Sequence, residues 1–178
     1  KQGADQESLE EVEQQKRFSG AKDELTGMVR ELENQTLAQT AMLPPSLLGE
    51  PKMAQVLEEI RADAKLAGDE AGKQLPKRLN NILSFLGEAE KFQQTVHLRD
   101  ELHTRPDGRE FNMKMIYFGL GVAFGVNEGG DFAIIGRPGG DGWEYGERND
   151  LAAEIRRLVA ITTGDVEAGF VSLPIELR

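Results

Sequence analysis

The sequence predicts an α+β fold: a long N-terminal helix leads into a helical bundle packed on a small antiparallel β-sheet, with a C-terminal helix. Two observations carry this. The first hundred residues are dominated by Glu, Gln, Lys, Leu and Ala, all good helix formers. Of the 20 glycines, 13 follow residue 100, where aromatic and β-branched runs alternate with turn signals. A length of 178 residues suits one domain, or a small domain with an extension. The composition divides it into a helical, coiled-coil-like arm at 1–43 and an α+β body at 44–178. No internal repeat is visible.

Residues 4–42 read as one helix, with apolar positions at Leu9, Val12, Leu25, Val29, Leu32 and Ala38/Ala41. The 4–3 spacing of Leu25, Val29 and Leu32 is that of a coiled-coil seam. The stripe is narrow and polar, so it needs a partner helix, and these three residues are the expected partner contacts. Pro44-Pro45 ends the arm, because proline removes a donor and restricts its predecessor. A second helix is predicted over 53–66, with Met53, Val56, Leu57 and Ile60 on one face. A third is predicted over 75–102, carrying Leu75, Leu79, Ile82, Leu83, Leu86, Phe92 and Val96, with Phe85 aimed at a second contact.

Arg105-Pro106-Asp107-Gly108-Arg109 is a turn. Residues 111–126 read as extended, 132–136 as the antiparallel return and 143–145 as a short third strand. Asn149 or Asp150 can cap a helix through Thr162. The tail 170–175 reads as extended and docked.

Composition excludes several functions. With 31 acidic and 21 basic residues the net charge is −10. Phosphate binding needs clustered Lys and Arg, so nucleic acid and anionic membrane surfaces are not expected partners. The absence of cysteine removes disulfides, thiolate metal sites and thiol nucleophiles. The most apolar stretch, 113–126, falls short of the ~20 residues a membrane-spanning helix needs, so no insertion of this chain is expected. The chain begins at Lys1, and an export signal is expected to have preceded it.

Tests for chemistry give little. Gly119, Gly121 and Gly125 are spaced one residue too long for a dinucleotide fingerprint. The plainer reading is that these glycines admit a bulky ring from Trp143, Tyr117 or Phe124. His97 and His103, six apart on one helix, would point to nearly opposite sides and hold no shared metal. Glu144 and Glu147 flank aromatics without a defined separation, and Glu128, Asp131 and Asp141 lack the calcium-loop pattern. The mid-helix Asn34-Gln35-Thr36 matches the glycosylation triplet without a surface-loop context. No catalytic residue, metal ligand or cofactor is therefore assigned. A ligand pocket near Tyr117, Phe124, Trp143 and Tyr145 is the alternative site, set against a core role for Trp143.

The order of parts resembles a known family. The matching segments are Leu43-Pro44-Pro45 and the helix from Leu75 to Thr95. Next come Met115-Ile116-Tyr117-Phe118-Gly119-Leu120-Gly121, the Gly129-Gly130 turn and Gly142-Trp143-Glu144. The helix Ile155–Ile161 and the closing Phe170-Val171-Ser172-Leu173-Pro174-Ile175 complete the set. Together they are similar to the bacterial domain-of-unknown-function family encoded beside TonB, ExbB and ExbD genes, a TonB-system biopolymer transport component. The run Arg137-Pro138-Gly139-Gly140-Asp141 is longer than that family's usual turn. The resemblance implies periplasmic localisation, protein partners of the cell envelope and a non-enzymatic accessory role beside energised outer-membrane transport. The residues themselves lead to a homo-oligomer or partner complex formed through the N-terminal helix, and to a small-molecule or glycan-binding module as the alternative.

Overall fold

The computed structural model describes residues 2–175, with side chains from Glu10 onward, so Leu9 of the arm stripe lies outside the described side chains. The fold class is α+β. Helix α1 spans Gln2–Gln39, followed by a 3-10 turn at Thr40–Met42, α2 at Pro45–Leu48, α3 at Pro51–Asp63, α4 at Gly68–Lys73 and α5 at Leu75–Gln93. Strands β1 (Val96–Thr104), β2 (Glu110–Phe118), β3 (Val122–Asn127), β4 (Ala133–Pro138) and β5 (Trp143–Glu147) follow, then α6 at Ala152–Thr163.

The chain divides into two compact units. One joins the residues up to Gln39 with Pro51–Leu86, and the other joins Thr40–Glu50 with the residues from Gly87 on. The C-terminal half of α1 packs among α3, α4 and α5, and the segment after it belongs with the sheet.

In the helical unit, Val29 is buried against Leu75, Ile82 and Leu79. Glu33 meets Arg78, and the backbone at Gly72 lies beside the Lys22 side chain. These contacts bring α4 and α5 against the second half of α1. Arg30 donates to the Leu66 carbonyl just beyond α3, and Asn81 donates to Asp63 at 2.8 Å, which places α3 against one side of the α1–α5 pair. Met53, Val56, Leu57 and Ile60 fill the core from α3, as the periodicity predicts, and Phe85 is buried there too.

In the second unit the five strands form an antiparallel sheet in simple sequence order. Between α6 and the sheet, Ile155 of α6 packs with Val122, Phe124, Val126, Ala133 and Ile135, with Phe118, Val159 and Leu173 partly buried beside them. The opposite sheet face carries Met113, Met115, Tyr117 and Ile134, all buried. Residues 40–50 cover part of that face: Trp143 Nε1 donates to the Met42 carbonyl at 2.9 Å, and Glu50 pairs with Arg99 at 2.7 Å.

Four sequence expectations change here. The third helix stops at Gln93, and residues 96–104 form β1, paired along their length with β2 from Val96↔Phe118 to Thr104↔Glu110. Nine cross-strand partners outweigh the helical pattern that runs past residue 93. The stretch 111–126 is two strands, because Gly119 at φ +56° turns the chain. The helix start at residues 149–151 has no side-chain cap: Asn149 Oδ1 instead accepts from the Ala133 amide at 2.9 Å. Of the tail, Leu173 docks, whereas Phe170 is exposed and the segment forms no strand.

Candidate functional site

The predicted partner contacts separate. Val29 is 1% exposed inside its own unit, whereas Leu25 is 42% and Leu32 is 44% exposed. Residues on a helix advance about 100° each. Taken from Val29, Thr26, Arg30 and Glu33 turn toward α3 and α4, and Leu25, Met28 and Leu32 turn the other way. On α5, taken from Ile82, Arg78, Asn81 and Phe85 turn toward α3, and Leu79, Leu83 and Leu86 turn away. Leu25, Met28 and Leu32 on α1 and Leu83 and Leu86 on α5 are left exposed, while Leu79 packs against the Val29 cluster. Met28, Leu83 and Leu86 are each at least half exposed.

The exposed stripe of α1 continues toward its N-terminus. Every described residue of α1 from Glu10 to Ala21 is exposed, and Phe18 is 78% exposed. Phe18, Ala21, Leu25, Met28 and Leu32 repeat at intervals of 3, 4, 3 and 4, an a/d heptad seam. The sequence reading grouped Leu25 and Leu32 with Val29, whereas the structure buries Val29 and leaves Phe18, Met28, Leu83 and Leu86 exposed as well. The signal was present: 28, not 29, keeps the heptad with 18, 21, 25 and 32.

On the sheet, the four aromatic candidates do not form one pocket. Phe124 lies under α6 with Phe118, ring centroids 6.0 Å apart, on the face opposite Tyr117. Tyr117, Trp143 and Tyr145 do meet, with centroids 5.7 Å apart for Tyr117–Trp143 and 6.4 Å for Trp143–Tyr145. The Tyr117 hydroxyl donates to the Glu101 carboxylate, within 2.9 Å of both oxygens. Burial raises Glu101 above the usual carboxylate range, against the opposing effect of the Tyr117 hydroxyl. Burial also raises Tyr145, and raises Tyr117 far more. A cavity of about 140 Å³ opens beside Glu101, His103 and Tyr145. That is below the ~300 Å³ at which small-molecule sites begin.

The ring placed against a strand glycine is Tyr145 at Gly136, while Gly125 admits the Met115 side chain and Gly119 lies against Gln93. His97 and His103 lie on β1, so an even spacing places them on the same sheet face rather than on opposite helix sides. His97 stacks on Phe92 with centroids 3.8 Å apart. The His103 ring lies 5.6 Å from that of Tyr145, and burial lowers its pKa. Glu147 binds Arg105 through two nitrogens, at 2.7 and 2.9 Å, and stands in that ion pair rather than with Glu144. Among the described residues, no group of three His, Asp or Glu is placed to hold a metal ion, and no helix is long and apolar enough to cross a membrane. Comparison with protein-family models, with curated proteins and with solved structures found no match.

Proposed function

We propose that the protein is a non-enzymatic interaction protein that works through association of its helical unit. The observation that carries the reading is the exposed apolar stripe of α1, formed by Phe18, Leu25, Met28 and Leu32 at heptad intervals, with Leu83 and Leu86 exposed on α5 of the same unit. Exposed apolar surface of this kind marks association sites, and pairing of such a stripe with another helix is a common mode of recognition. The setting implied by the family resemblance belongs to the same proposal: an accessory in the periplasm, beside TonB–ExbB–ExbD type transport. Cell fractionation tests it, and recovery in the cytosol alone would remove it.

The small-molecule or glycan alternative has weaker support. Of the two cavities that Tyr145 lines, one is only about 140 Å³ and the other is an open cleft of about 660 Å³ lined by Arg137, Glu144 and Glu147 rather than by Trp143, which is engaged with Met42 and Tyr117.

Light scattering on the whole chain tests the association. The expected result is a mass of two copies or more, reduced to one by the double variant Leu32→Asp/Leu86→Asp with unchanged circular dichroism. A wild-type monomer with the melting temperature of that variant would overturn the reading.

A further inference from the structure

We infer that the free edge of β1 takes β1 of a second copy, antiparallel and centred on Asp100, so that two sheets join into one. The inference concerns the sheet unit and stands apart from the association of the helical unit.

The open edge follows from the register. Strand β1 is an outer strand, paired with β2 alone among the described strands, over nine unbroken positions that include no glycine or proline. The Arg105 amide donates to the Arg109 carbonyl at 2.8 Å, which closes the β1–β2 turn with a hydrogen bond. In an antiparallel ladder such bonded pairs recur at every second residue, so the odd residues from His97 to His103 bond to β2. The amides and carbonyls of Val96, Leu98, Asp100, Leu102 and Thr104 point away from it. The Arg99 guanidinium lies at this edge, where it donates to the Leu98 carbonyl at 3.3 Å. A long edge strand without proline or a bulge is a template for another strand.

The residues of β1 identify that strand. It reads Val-His-Leu-Arg-Asp-Glu-Leu-His-Thr. Read backwards, it differs only by exchanging Arg99 with Glu101 and Val96 with Thr104. Against a second copy centred on Asp100, Arg99 therefore faces Glu101, Leu98 faces Leu102 and His97 faces His103. Opposite charges and matched apolar residues set across from one another stabilise a strand pair. Val96 and Leu102, 51% and 61% exposed, share a face with Leu98, so the join also covers apolar surface. A centre one residue earlier sets Arg99 against Arg99 and Leu98 against Asp100. One residue later sets Glu101 against Glu101 and Leu102 against Asp100. The like charges at the centre oppose the join, and each Asp100 is paired with its own Lys114 at 2.5 Å. The interface is isologous, the usual form for a homodimer.

A strand pair is a small interface by the standard of stable dimers. It forms at higher protein concentration than light scattering uses, and cross-linking captures it. The chain has no cysteine of its own, and Leu32→Asp/Leu86→Asp is the background, so that the helical association does not contribute. Directly opposite residues have Cα atoms ~5.5 Å apart, within the about 4.4–6.8 Å that a disulfide needs. On oxidation, Asp100→Cys alone should convert to a covalent dimer. Leu98→Cys and Leu102→Cys, each roughly 13 Å along the strand from its own counterpart, should stay single, and their mixture should link. Preferred linking of Leu98→Cys or Leu102→Cys alone would show another register and overturn the inference. Equal linking of all three would mean random encounter and overturn it too. Amide exchange on the unsubstituted chain is the second measurement: protection at Leu98, Asp100 and Leu102 should rise with protein concentration, and no rise would overturn the inference. The helical reading is decided separately, by the light scattering described above.

Discussion

The Arg78 guanidinium grips the Glu33 carboxylate through two hydrogen bonds, Nε to Oε1 and Nη2 to Oε2, each 2.7 Å long, and both side chains are almost wholly removed from solvent. Arg78 Nη1 also donates to the Ala71 carbonyl at 3.1 Å. This pair ties the middle of α1 to α5 and joins it to α4. The hydrogen bonding of Arg78 to Glu33 is the largest influence holding its pKa above the ordinary value. Burying two charges is costly, so the pair contributes most by fixing which helix faces meet. Removing one partner strands the other. Glu33→Gln or Arg78→Met should each cost about 3–5 kcal/mol, measured by urea unfolding. Glu33→Leu/Arg78→Leu should recover a large part of that loss, because two apolar side chains leave no stranded charge.

Val29 and Leu32 lie three residues apart and should behave as opposites. Val29→Asp puts a carboxylate against Leu75 and Ile82 and should destabilise the fold by about 4 kcal/mol, through an unpaired buried charge. Leu32→Asp lies on the exposed face of α1 and should change monomer stability by about 0.5 kcal/mol or less while weakening association. Thermal unfolding and light scattering on both variants separate the effects. Loss of association without loss of stability in Val29→Asp would contradict the packing described here.

These residues also show what was legible in the sequence. Helix content, the core face of α3, the sheet and the last helix follow from periodicity and glycine placement. The arm's seam was visible as a 4–3 spacing, but one helix can carry two stripes. Deciding which stripe its own chain buries needs the α5 contact at Val29. Strand β1 was hidden for a related reason. Val96, Leu98 and Leu102 continue the helical pattern of α5, and pairing with β2 decides the conformation. The aromatic site was half legible: Tyr117, Trp143 and Tyr145 converge, and the one-residue offset between Tyr117 and its neighbour Ile116, cross-strand partner of Phe124, sends Phe124 to the other face.

Glu101 should give stability a defined pH dependence. Its pKa in the folded protein lies above the ordinary 4.5, chiefly through burial. Below 4.5 it is protonated in both states and costs nothing. As pH rises, the unfolded chain releases its proton first, so stability falls until the folded carboxyl has ionised as well. Glu101→Gln keeps an acceptor for Tyr117 and removes this loss. The wild type should therefore lose stability relative to Glu101→Gln from pH 4.5 upward, and the two should converge in acid. His103, lowered by burial, changes stability in the same region with the opposite sense, so the difference between the two proteins is the quantity to follow by urea midpoints. A difference independent of pH would show that Glu101 is not perturbed.

Gly136 and Tyr145 are cross-strand partners, and the Tyr145 ring lies over the glycine. A Cβ at 136 would stand 2.6 Å from Tyr145 Cε1, 2.9 Å from Cδ1 and 3.2 Å from Trp143 Cε3. A ring held between strands has little room to yield, so Gly136→Ala should cost about 1–3 kcal/mol through overpacking. It should also displace Tyr145 and Trp143. The matched control is Gly146→Ala on β5, where an added Cβ meets nothing within 4 Å. Trp143 is the single tryptophan and donates to the Met42 carbonyl, so its emission reports the hold of the 40–50 segment on the sheet. Gly136→Ala should shift that emission to longer wavelength and lower the melting temperature, while Gly146→Ala leaves both near wild type. Equal effects from the two variants would mean that a general loss at glycine, and not the Tyr145 ring, sets the cost.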